Sequence, residues 1–140
     1  MTATPDPAEA ERLVEPLLSP LGDRWLHTRA VAARASELSP AVPDVDRDLL
    51  VTAAWLHDIG YAESVAATGF HPLDGARYLS SVGYPARLCA LDAHHSSAAC
   101  EAEERELLAA LEEWPREESD VADALWTADM TTGPSGQRLD

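Results

Sequence analysis

The chain has 140 residues, 46% of them hydrophobic, and a formal net charge of −15 from 25 acidic against 10 basic side chains. That length fits one domain, in which folding hides about two-thirds of the unfolded chain's surface, so a core forms without disulfide staples. The charge repels phosphate backbones and anionic lipid, which argues against a nucleic-acid polymer or an acidic membrane surface as partner. A small anion can enter only where an internal positive charge, such as a metal ion, receives it.

One phenylalanine, three tyrosines and four tryptophans stand against many alanines and leucines, a balance that favours helices over sheet. The first predicted helix, DPAEAERLVEPLL, has Asp6 as N-cap, Pro7 at its first position and Glu9 three residues beyond the cap, with Pro16 and Pro20 expected to break it. A second covers about Leu21–Leu38 and stops at SPAVP. The third, DVDRDLLVTAAWLHDIG, is acidic in its first turn, with Gly60 as its expected C-terminal cap. HPLDGARYLSSVG and PARLCALDAHH are the fourth and fifth; a sixth is expected over about Cys100–Trp114. Ser119 caps a seventh, DVADALWTADM, and TTGPSGQRLD reads as a loose tail.

Cys89 and Cys100 have no thiolate-ligand spacing, the opening residues show no basic-then-apolar leader, and no stretch reaches membrane-spanning length. A reducing, cytoplasmic compartment is expected.

From Leu49 to Leu56 every residue but Thr52 is apolar, so the third helix should be central. His57 and Asp58 end it. A buried carboxylate without a partner is too costly to stay ionised, so the doublet requires compensation. Other titratable groups occupy similar positions. His27 lies in line with Ala30, Val31 and Leu38; Asp129 lies above Leu125 and Trp126; His71 opens the fourth helix; His94 and His95 end the fifth. Imidazoles and carboxylates converging from several helices make a bundle-core metal site, and a mixed N/O set without sulfur suits divalent Fe, Mn, Co or Zn.

This order of residues resembles the HD superfamily of metal-dependent phosphohydrolases, an all-helical fold named for its His-Asp doublet. RWLHTRAVAARASEL is similar to the family's first histidine helix, LLVTAAWLHDIGY to its doublet helix and ALWTADM to its closing aspartate helix. The resemblance implies a single HD-like bundle of about six to seven helices over residues 1–140, with a core at about 21–130 and a flexible tail at 131–140. It makes His27, His57, Asp58 and Asp129 the ligands of one metal. FHPLDGARYL and DAHH resemble the extra ligands of the binuclear branch, which includes HD-GYP cyclic-dinucleotide phosphodiesterases and HD-class diadenosine tetraphosphate hydrolases. There Asp58 would bridge two ions, His71 and His94 would complete the second, and His95 would be a further ligand or a proton carrier. The alternative is one ion, with His71 and His94 touching substrate. The implied cofactor is one or two divalent transition ions, Fe or Mn ahead of Co, Ni, Zn or Mg.

The implied activity is hydrolysis of a phosphomonoester or phosphodiester in a small molecule, a nucleotide first among candidates, by metal-activated water. Asp58 would hold the ions and His71 or His95 would protonate the leaving oxygen; Arg24 and Arg77 are candidate phosphate clamps and Tyr61 a candidate substrate contact. The same ligand order resembles the mixed-valent di-iron oxygenases of this fold, a second chemistry; a non-catalytic nucleotide sensor or structural bundle is a third class. Two departures stand out. HD-GYP proteins carry a lysine at the place of Tyr61, and GYP at 83–85 precedes the double histidine, which speaks against cyclic-di-GMP. The chain also ends eleven residues past Asp129, where many relatives continue. A pocket wall is therefore expected to be missing, dispensable or supplied by the second subunit of a homodimer.

Overall fold

A computed structural model describes residues 5–139. Among the described residues it shows eight α-helices and no strand. They are α1 (Pro7–Leu18), α2 (Asp23–Leu38), α3 (Arg47–Leu56), α4 (His71–Ser81), α5 (Ala86–Ala93), α6 (Ala98–Glu104), α7 (Leu108–Leu111) and α8 (Asp120–Met130). The expected all-α bundle is what the chain adopts.

α3 is the axis. Leu50, Ala53, Ala54 and Leu56 are completely buried, and the helix packs against α1, α2, α5 and α8. Each leucine sealed in this way contributes about 2 kcal/mol relative to exposure. Small side chains at positions 53 and 54 let neighbouring helices come close, so the residues at the end of α3 emerge among them rather than at the surface.

Helix ends follow local chemistry where a cap is present. Asp6 accepts from the backbone N–H of Ala8 and Glu9, and Ser119 accepts from that of Ala122. Elsewhere the structure corrects the sequence reading. Pro16 does not break α1, which runs on to Leu18; the proline faces solvent, where water can satisfy the carbonyl it leaves unbonded. The expected sixth helix is two short ones. Glu106 takes a left-handed conformation at φ 60°, and Leu107 N–H bonds the Ala102 carbonyl at 2.8 Å, a Schellman stop made without glycine.

Gly60 is not a C-terminal cap. α3 has already ended, and residues 59–61 form a short 3-10 turn. A Cβ on Gly60 would lie 2.0 Å from the His71 carbonyl oxygen, and one on Gly75 would lie 3.3 Å from Gly60 N. Glycine is required because the turn after α3 and the start of α4 touch backbone to backbone. The loop before α4 is tied down by Asp74, whose buried carboxylate accepts from the backbone N–H of Ala67, Thr68 and Gly69 and from the Thr68 hydroxyl.

Residues 131–139 are not a loose tail, and Asp140 lies outside the described residues. Thr132 and Arg138 pair in an isolated antiparallel bridge, Gly133 N–H bonds Gln137 O at 2.6 Å, and Gly136 supplies the turn at φ 90°. The hairpin lies against α2, where a Cβ on Gly136 would meet Leu26 O at 2.8 Å.

Candidate metal centre

Two trios of ligand-type side chains meet at the end of α3. His27 (α2), His57 (the residue that caps the C-terminus of α3) and Asp129 (α8) form one. Asp58 (just past α3), His71 (first residue of α4) and His95 (just past α5) form the other, the ligand atoms of each trio lying within 4.8 Å of one another. His27 Nε2 is 2.9 Å and His57 Nε2 is 3.4 Å from Asp129 Oδ1. The Asp58 carboxylate stands between the trios. Its Oδ2 is 3.3 Å from His57 Nε2 and 3.7 Å from His27 Nε2. Its Oδ1 is 3.2 Å from His71 Nε2 and 3.7 Å from His95 Nε2.

The outer nitrogens define the inner ones. Nδ1 of His27 donates to the Gly133 carbonyl at 2.8 Å, that of His57 to Ala54 O at 2.7 Å, and that of His95 to Asp92 O at 2.6 Å. A carbonyl can only accept, so each Nδ1 carries its proton and each neutral ring turns a bare Nε2 inward. His57 Nε2 is buried with no hydrogen-bond partner of its own. Lone pairs facing carboxylate oxygens need positive charge between them, a proton on a ring or a cation. Four imidazoles and two carboxylates therefore fit divalent cations on the chemistry of the donor set alone.

Without a metal the cluster holds protons instead. Burial works against a charged His57, yet the Asp58 and Asp129 carboxylates outweigh it and hold its pKa well above the usual value. Burial likewise works against ionised Asp58 and Asp129. His57 and His71 hold Asp58 well below the carboxylate range, and the His27 hydrogen bond with the nearby His57 ring does the same for Asp129. His95 is driven down to about 4, by burial first and then by the charge on His57.

The structure separates the neighbouring histidines. His94 lies outside both trios: its Nε2 donates to the Trp114 carbonyl, while His95 turns into the site. α5 stops at Ala93, so helical phase no longer governs which way either ring points. A cavity of about 350 Å³ opens onto the trios, and Arg24, Tyr61, Ser96, Glu101 and Gly133 are among its lining. Arg24 Nη1 donates to Asp58 Oδ2 at 3.1 Å, its guanidinium lies 3.8 Å above the Tyr61 ring, and Tyr61 stacks on His71 at 4.0 Å. Arg77 is not there; it is exposed on α4.

Three contributors were not legible in the sequence. Ser96, in a left-handed conformation at φ 53°, donates to Asp129 Oδ2 at 2.6 Å. Asp92 is buried beside the site with both oxygens unpartnered, and burial raises its pKa well above the carboxylate range. Thr132, Gly133, Pro134 and Leu139 line one side of the cavity, where the sequence suggested a missing or borrowed wall. No spacing signal marks any of these; a serine after a double histidine was the nearest clue.

A family model described as the HD domain matches residues 24–129. The match begins at Arg24 and ends at Asp129, so it spans both trios. No curated protein and no solved structure matches the chain. The chain belongs to the HD-domain family, whose members are in general metal-dependent phosphohydrolases.

Proposed function

We propose that this HD-domain chain is a metal-dependent phosphohydrolase that holds two divalent cations and cleaves a phosphomonoester or phosphodiester bond in a small molecule. One observation carries the reading: the two oxygens of Asp58 face different trios, the arrangement a carboxylate shared by two ions requires. His27, His57 and Asp129 would hold one ion and His71 and His95 the other, which moves the second-ion role from His94 to His95. Fe or Mn suits this sulfur-free set; Cys89 and Cys100 take no part in it.

Bound cations of this kind supply Lewis acidity toward a phosphoryl oxygen and a nucleophile from water at neutral pH. The chain's own residues do the rest. Arg24 is placed to grip phosphate oxygens at the cavity mouth. Tyr61 lies between His71, whose ring it fixes by stacking, and the Arg24 guanidinium, which it supports on its other face. Ser96 orients Asp129, and the three backbone acceptors hold the imidazoles so that Nε2 stays inward. The cavity volume fits a small molecule, and the −15 charge argues against a polymer of phosphates.

Elemental analysis of protein purified without a chelating tag tests this. About two equivalents of Fe or Mn per chain, reduced to near zero in Asp58→Ala, are expected, together with anaerobic phosphate release from simple mono- and diesters. A mixed-valent iron signal with oxygen consumption and no phosphate release would assign the site to the oxygenase chemistry instead.

A further inference from the structure

Among the described residues lining the cavity, Arg24 is the one arginine or lysine. An anion entering otherwise meets Asp58, Asp129 and Glu101, in a chain already at −15. Yet Arg24 is committed elsewhere. Its Nη1 is bonded to Asp58 Oδ2, the oxygen that faces His27 and His57. Its side chain is 33% exposed, against 4% for Asp58, and the Tyr61 face beneath the guanidinium gives it a resting place independent of the carboxylate.

We propose, on the basis of the metal-site reading above, that Arg24 works in two positions. It is the counter-ion of Asp58 while no metal is present, and the anion-binding arm once a cation claims Asp58 Oδ2. Two positive groups in contact with one carboxylate oxygen repel each other, and the one-third exposed arginine is the one free to leave. Released, it can stay over Tyr61 and present a planar fork of N–H donors that matches two phosphate oxygens. The consequence is an obligatory order: metal first, phosphate second. A metal-free chain then has no free cation in the cavity among its described residues and does not sequester phosphate compounds it cannot process.

The test uses the whole chain and reads binding rather than turnover. Mn²⁺ affinity is measured from the electron paramagnetic signal of the free ion, and inorganic phosphate affinity by calorimetry with and without Mn²⁺, for wild type, Arg24→Gln and Arg24→Lys. Wild type is expected to bind phosphate only after Mn²⁺. Arg24→Gln, relieved of the competing charge, should bind Mn²⁺ about tenfold more tightly and, once loaded, phosphate about tenfold more weakly. Arg24→Lys keeps the charge without the fork, so its Mn²⁺ affinity should match wild type while phosphate affinity falls. Equal phosphate binding with and without Mn²⁺ overturns the proposal even if a variant folds poorly. So does an Arg24→Gln protein that binds Mn²⁺ no more tightly than wild type. Failure of wild type to take up Mn²⁺, Fe²⁺ or Co²⁺ at all would instead remove the metal-site reading on which the proposal stands.

Discussion

The two trios are chemically alike and built differently. His27 and Asp129 sit on α2 and α8, and His57 follows the last residue of α3 with helical backbone angles, so each of the three side chains keeps the phase of its helix. His71 and His95 sit where helices begin or have just ended, and Asp58 follows the end of α3. The first trio is thus held by core packing, and the second by junctions: the Gly60–His71 contact, the Asp74 carboxylate that ties the loop, and the turn at Ser96. A site divided in this way should be able to lose its second half while keeping the first.

The largest expected effect breaks that contrast directly. His57→Ala should abolish binding of both ions, because its ring faces Asp58 and Asp129 together, and should destabilise the fold by about 2–4 kcal/mol through the cavity it leaves. His71→Ala should keep about one equivalent of metal and lose at least a hundredfold in phosphatase activity, as measured by elemental analysis and ester hydrolysis. Equal metal loss in the two variants would show that the trios bind as one unit.

An intermediate effect separates the neighbouring histidines. His95→Gln should also drop to one equivalent. His94→Gln should retain both and cost only about 1–2 kcal/mol of stability, from disturbance of its bond to the Trp114 carbonyl. The reverse outcome would reinstate His94 as a ligand.

The smallest effect sharpens the comparison through pH. In the metal-free chain the His57 pKa is raised, so its contribution to stability is complete below about pH 6.5 and fades as pH rises through the folded-state value. Asp58 and Asp129 are lowered, so theirs is present above about pH 4 and is lost as pH falls through their folded-state values. The melting temperature without metal should therefore be highest between about pH 4 and 6.5 and decline toward pH 9. Saturating Mn²⁺ should flatten that decline, since the cation replaces the proton. Identical alkaline slopes with and without metal would separate the first trio from ion binding.

The same division explains what the sequence disclosed. His27, His57 and Asp129 were legible because each is a polar residue on an apolar helical face, and periodicity says where such a face points. Which of His94 and His95 turns inward was not, since α5 ends before them and the phase is lost. Gly60 reads as a cap by composition but is needed for a close backbone contact made with a segment eleven residues away. Asp74 looks like an ordinary acid at a helix start, and only the fold shows it holding three backbone N–H groups of the preceding loop. The C-terminal TTGPSG has no periodicity to read. What organises it is internal turn bonding and His27, whose Nδ1 finds its acceptor at Gly133.

The contact of Gly60 with the first residue of α4 has a consequence for which cations the proposed site could take. Main chain meets main chain there, with no side chain between them, so the separation of the two half-sites behaves as a fixed gauge. Under the two-ion reading, an ion of different radius would be accommodated by rotating imidazoles and carboxylates rather than by widening the gap. A lineage that replaced either Gly60 or Gly75 would have to rebuild the junction before it could retune the chemistry.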